Sequence, residues 1–311
     1  MPPIIEVRNL SKRFGDFHAV KDLSFTVYSG DVYGFLGQNG AGKSTTIRML
    51  LTLIRPDSGE IYMQGKNLHK HRNEILRTTG AVIERPDLYS YLSAIENLSV
   101  FARLSGIKPS RKALMEKLEQ VGLSERTDSI VKTFSQGMKQ RLGIAVALVH
   151  EPSLIILDEP TNGLDPQGIA DIRKLILSLS RDFGKTLLVS SHLLGEIEQI
   201  ATRMIIIDRG SKVVEGDVNE LLDPEHVLLE IISTDNLHCS TWLNNSAWSG
   251  FMQHSGNSAS VLKIMREDIP RLTRELILAG IGIISLRPKN TLEEYFLSLT
   301  NPEQHVDIDQ D

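Results

Sequence analysis

The run Val32-Tyr33-Gly34-Phe35-Leu36-Gly37-Gln38-Asn39-Gly40-Ala41-Gly42-Lys43-Ser44-Thr45 decides how the chain is read. Its first five residues are apolar on both alternating faces, which predicts an interior strand. Glycines then break the strand, and Thr46 to Ile54 has helical spacing that stops before Pro56. Residues 37–44 satisfy G-x-x-x-x-G-K-S/T in the strand–loop–helix setting that the pattern requires. Glycines let the backbone curl so that successive N–H groups point at one anion, and the helix start adds the positive end of its dipole. The pattern places Lys43 to reach the outer phosphates of a nucleotide and Ser44 to ligate Mg2+. Gly37, Gln38, Asn39, Gly40, Ala41, Gly42 and Thr45 form the cradle.

Working outward, Ile5, Val7 and Leu10 and then Leu23, Phe25 and Val27 alternate as two antiparallel strands. Glu60–Met63 and Gly80–Ile83 read as a further strand pair. From Asn97 to His150 the spacing turns helical, and Gly122 stops one of the helices. Three apolar runs follow, Leu154–Leu157, Thr186–Val189 and Met204–Ile207, with helices between them, which predicts a parallel sheet. The first ends in Asp158-Glu159. Acids emerging at a strand's C-terminal edge sit where open α/β sheets bind ligands. Asp158 is placed to hold Mg2+ and Glu159 to orient or deprotonate an attacking water.

These two elements describe a P-loop NTPase. Phe134-Ser135-Gln136-Gly137-Met138-Lys139-Gln140-Arg141, just upstream of the acidic strand, resembles the signature motif of the ABC ATPase superfamily. Gly163-Leu164-Asp165 resembles its D-loop, His192 its switch histidine, and Phe14 its adenine-stacking aromatic. The resemblance covers roughly residues 4 to 224. It implies an ATP-hydrolysing domain with an antiparallel β subdomain and a helical subdomain at about 90–150. It also implies two subunits packed head to tail, as a homodimer or heterodimer. Each ATP then lies between one phosphate loop and the partner's Ser135-Gln136-Gly137, and Asp165 belongs to the same shared site.

Two departures narrow the resemblance. Gln136 and Met138 stand where a glycine and a glutamine are usual, a variant similar to exporters paired with ABC-2-type permeases. Glu84 stands where the superfamily has a glutamine that faces Mg2+ and the attacking water. With Glu96-Asn97-Leu98 after it, this resembles the bacitracin-resistance and lantibiotic-immunity ATPases. The implied function is the ATP-hydrolysing subunit of an exporter for an antibiotic-type peptide, carried on the inner face of the membrane by a separate permease. The contrasting class is a soluble ABC ATPase of DNA maintenance or translation. The stretch Asn97–Thr133 is too short for the long coiled coil of the first, and a single cassette argues against the second. Intact Glu159 and His192 argue against a nucleotide sensor that does not hydrolyse.

The bulk numbers agree. A net charge of −5 argues against nucleic acid as the main partner. Cys239 is the only cysteine, which fits a reducing compartment. No apolar run reaches the roughly 20 residues needed to cross a bilayer, and Met1 to Glu6 lack the order of a signal peptide. The character changes near residue 224. Strands at Val227–Ile232, Trp248–Gln253, Ser260–Ile264 and Ile281–Leu286, with helices at 237–243 and 269–279, give β-α-β-β-α-β over 225–300, a small ferredoxin-like domain. Thr291 with Glu294 predicts a capped final helix, and 301–311 an acidic tail.

Overall fold

The structure is a computed structural model that describes residues 2–222, 226–255 and 259–289. The chain divides into two compact units between Asp217 and Val218, ahead of the change of character read at 224.

In the first unit, strands β1 (Pro3–Phe14) and β2 (Phe17–Tyr28) form a long antiparallel hairpin. β3 (Val32–Leu36) is wholly buried and feeds α1 (Lys43–Leu50). β4 (Ser58–Met63), β5 (Lys66–Asn67), α2 (Arg72–Leu76) and β6 (Thr79–Ile83) follow. The pairing expected between Glu60–Met63 and Gly80–Ile83 does not form. β4 joins β1 in an antiparallel sheet of order β2-β1-β4-β5, whereas β6 enters a different sheet. Two short apolar runs carry no record of their partners, and α2 moves the chain between the layers.

Helices α3 (Ala94–Leu104), α4 (Arg111–Gln120) and α5 (Gln136–Leu148) make the helical subdomain. Ser93 and Glu96 form a reciprocal capping box at the start of α3. The buried Asn97 accepts from the Tyr89 N–H at 2.8 Å and donates to the Tyr89 carbonyl at 3.0 Å, tying the loop after β6 to this helix. β7 (Leu154–Asp158), α6 (Pro166–Arg181), β8 (Thr186–Ser191), α7 (Leu194–Glu198), β9 (Arg203–Asp208) and β10 (Ser211–Asp217) complete the unit. The six-stranded sheet has the order β10-β9-β3-β8-β7-β6, parallel except for the antiparallel edge strand β10. Strands buried on both faces account for the unbroken Leu154–Leu157 and Met204–Ile207 runs. Side chains from both sheets and α1 share one core, with the Phe25 and Phe35 rings 5.3 Å apart.

The second unit contains α8 (Val218–Leu222), β11 (His226–Ser233), α9 (Asn236–Asn244), β12 (Met252–Ser255), β13 (Ser260–Met265), α10 (Ile269–Leu278) and β14 (Ile283–Lys289). The sheet order β12-β13-β11-β14, antiparallel throughout, is the ferredoxin-like arrangement. Leu272 and Leu276 of α10 bury against Val227, Leu229, Ile231, Leu262 and Ile264, with Cys239 and Trp248 in the same core. Trp248 precedes a single 3-10 turn at Ser249–Phe251, so β12 starts later than its apolar residues suggest. The helix read from Thr291 and the acidic tail lie outside the described residues.

Candidate functional site

Parallel strands deliver their C-terminal ends to one edge, and the order of strands decides which residues meet there. β8 lies between β3, which leads into the phosphate loop, and β7, which ends in Asp158. Phe35 and Asp158 are both in register with Ser190 of β8. On the far side of β7, Ile83 is in register with Asp158, which brings Glu84 to the same edge. The acids, the loop and β8 therefore converge although they are spread over more than a hundred residues of chain.

The loop is fixed by backbone contacts that leave no room for a side chain at Gly37 or Gly42. Gly42, the N-cap of α1, has φ +107° and an added Cβ would lie 2.5 Å from the Ala19 carbonyl oxygen. The Ala41 carbonyl accepts from the Gly210 N–H at 3.0 Å. The buried Lys43 ammonium donates to the Gly37 carbonyl at 2.7 Å and the Gln38 carbonyl at 3.3 Å, and lies 3.1 Å from Glu159 Oε1. The other oxygen of Glu159 is 2.7 Å from His192 Nδ1.

Ser190 organises the acidic side. Its hydroxyl donates to Asp158 Oδ1 at 2.6 Å and accepts from the Glu159 N–H at 2.9 Å. Glu159 and Glu84 both have left-handed backbone, φ +50° and +56°. Six other non-glycine residues among those described share this conformation, so here it serves to turn the chain at the two strand ends. Asp158 is fully buried, and its Oδ2 has no hydrogen-bond partner among the described residues. A buried acceptor without a partner is costly unless something else satisfies it. Ser44 lines the same cleft, so hard oxygen donors of the kind Mg2+ prefers face one space.

That space is a cleft of about 930 Å³. Its walls include Gln38, Asn39, Gly40, Gly42, Lys43, Ser44, Thr45, Glu84, Asp158, Glu159 and Gln136, as expected from the sequence. Gly37 and Ala41 are buried within the loop and do not reach the cleft. Phe14, Ser135, Gly137, Asp165 and His192 do not line the cleft. Phe14 pairs across the hairpin end with Phe17, and Phe17 is the ring on the wall. Ser135 caps α5 by accepting from the Met138 N–H at 3.2 Å, and Asp165 caps α6 by accepting from the Gly168 N–H at 3.0 Å. Sequence reading gave no place in the site to Phe17, Ala19, Ile83, Arg85, Pro86, Asp87 or Asn162, and quoted Lys139, Gln140 and Gly163 only within their motifs. Gln140 had a usable signal, since it follows Gln136 by one turn on α5.

A phosphate loop, an acidic pair at the next-but-one strand and a helix start beside them define a P-loop ATPase. The ABC transporter family model matches residues 20–162. The bacitracin transport ATP-binding protein BcrA of Bacillus licheniformis is 41% identical, over 96% of this chain and 98% of that protein. The lantibiotic transport ATP-binding protein SrtF of Streptococcus pyogenes is 40% identical, over 69% of this chain and 91% of its own. Among solved structures, CbiO1 of Clostridium perfringens, part of an ABC transporter complex, superposes with a TM-score of 0.66 at 26% identity, covering 79% of this chain and 96% of that one. The chain belongs to the ATP-binding subunits of ABC transporters and is an ATPase. Among the described residues no helix is long and apolar enough to cross a membrane.

Proposed function

We propose that this ATPase energises export through an ABC-2-type permease, docked on the inner face of the membrane and working as a pair with a second copy or a close relative. The observation that carries this reading is the meeting of Lys43, Ser44, Asp158 and Glu159 at one sheet edge beside Gln136 at the start of α5. An antibiotic-type peptide is the proposed cargo, supported by the relatives named for bacitracin and lantibiotic transport.

In this reading Lys43 and the loop N–H groups take the β- and γ-phosphates. Ser44 and Asp158 would hold Mg2+, which would supply charge stabilisation to the phosphates, and Glu84 faces that site with one oxygen tied to Arg48. Glu159 orients the attacking water and accepts its proton, and His192 holds that carboxylate through Nδ1. Phe14 and Phe17 together form the aromatic end of the hairpin against which an adenine stacks. Ser135, Gln136, Gly137 and Asp165 face the nucleotide of the partner subunit. ATP thereby joins two copies, and cleavage removes the charge that both were gripping.

The test is purification of the full chain from detergent-solubilised membranes of its own host. A stoichiometric integral-membrane protein that raises ATP hydrolysis supports the proposal. Recovery with DNA or ribosomes, and with no membrane protein, supports the soluble class instead.

A further inference from the structure

Arg48 Nη2 lies 2.5 Å from Glu84 Oε1, joining α1 to the end of β6. Arg48 follows Ser44 by four residues on α1, so the two lie on one face of the helix, a turn apart. The phosphate-loop helix thus carries a cation one turn behind the hydroxyl that faces the cleft. Glu84 lines that cleft with Asp158 and Glu159. With Asp87 on the same wall, carboxylates surround a space meant for a polyanion, and Glu84, Asp158 and Glu159 are the three at the ends of the parallel strands.

Each of the three is compensated differently. Glu159 has the Lys43 ammonium, and Asp158 has the Ser190 hydroxyl. Among the described residues, Arg48 is the cation paired with Glu84.

We propose that Arg48 is a positioning residue of the nucleotide site: it neutralises Glu84 and draws its carboxylate along α1, so that an acid at position 84 does not repel the incoming nucleotide. The inference rests on the cleft being the nucleotide site. A glutamine at 84 would not need this cation, so the requirement for Arg48 is created by the glutamate. The pair is partly exposed, with side chains 40% and 63% accessible, so its influence is moderate and salt-sensitive.

The experiment compares wild type, Arg48→Gln, Glu84→Gln, the double variant and Arg48→Lys as full-length chains. Calorimetric binding of Mg-ADP is measured alongside KM and kcat for ATP. Arg48→Gln should weaken Mg-ADP binding by about two- to fivefold, the scale of a partly exposed charge pair, and raise KM more than it lowers kcat. The double variant should bind within about twofold of Glu84→Gln, and Arg48→Lys should stay near wild type. The deficit of Arg48→Gln should shrink as salt rises. Unchanged binding in Arg48→Gln overturns the proposal. So does a double variant as weak as Arg48→Gln alone, because Arg48 would then act on the helix or the ligand rather than through Glu84. Thermal melting shows whether any variant is merely unfolded, and a collapsed Arg48→Gln beside a folded, tight-binding double variant still supports the pairing. A wild-type chain that takes up no Mg-ADP fails at the site itself, an outcome distinct from failure at Arg48.

Discussion

The Lys43 ammonium and the Glu159 carboxylate are in contact at 3.1 Å, with Lys43 buried and Glu159 nearly so. Lys43 is also bonded to carbonyls of its own loop. Phosphate must therefore displace partners that Lys43 already has, and the carboxylate proposed to handle water is one of them.

Replacing Glu159 by Gln removes the proton acceptor and loosens its hold on Lys43 together. Turnover should fall by about 10²–10⁴-fold, the range of general-base losses. ATP affinity should be retained or increased. Single-turnover hydrolysis and equilibrium nucleotide binding measure the two effects separately, and normal turnover would exclude Glu159 from the role.

Ser190→Ala removes one hydroxyl that serves two acids. Asp158 Oδ1 loses its donor at a fully buried position, and the Glu159 N–H loses its acceptor. A stability loss of about 1–3 kcal/mol is expected from an unsatisfied buried group, together with a lower kcat. Ser190→Thr keeps the hydroxyl and should recover much of both, as read by denaturant titration and steady-state kinetics.

Gly143 lies where α5 meets the loop after β6, and an added Cβ would sit 2.4 Å from Pro86 Cβ. Gly143→Ala must push that loop or the helix aside. Overpacking of this kind costs about 1–3 kcal/mol. The melting temperature should drop, and nucleotide binding should change because Glu84, Arg85, Pro86 and Asp87 all line the cleft.

His150 ends the helical subdomain with Nε2 3.2 Å from the Thr79 carbonyl and a buried Nδ1 that has no partner among the described residues. Burial holds its pKa below the ordinary histidine value, despite the opposing carbonyl and Glu151. The unfolded chain therefore takes up the proton first as pH falls. The stabilisation is complete above about pH 6.5 and is lost as pH falls through the folded value, at up to ~1.4 kcal/mol per pH unit. Thermal melts from pH 7.5 to 5 should show a shallower acid-side decline for His150→Gln than for wild type.

Much of this was legible in the sequence because local chemistry specified it. Gly37 to Ser44 requires a curled backbone, Leu154 to Glu159 requires a buried strand with an acidic end, and Leu272 with Leu276 requires an apolar helix face. What was not legible depends on partners distant along the chain. Nothing in Glu60–Met63 announces that β1 is its neighbour. Phe14 and Phe17 are equally aromatic, and only the hairpin register turns Phe17 to the cleft. Arg48 has no motif to mark it, and its meaning appears only where β6 ends beside α1.

Cys239 sits inside the ferredoxin-like core, where burial pushes its thiol above the ordinary cysteine range and keeps the reactive thiolate scarce. The natural chain is thus nearly silent toward maleimides and other thiol reagents while folded. A fluorophore or spin label attached through a single engineered surface cysteine would report that site with little background. Opening and closing of the nucleotide cleft can then be followed without first stripping the protein of its own sulfhydryl.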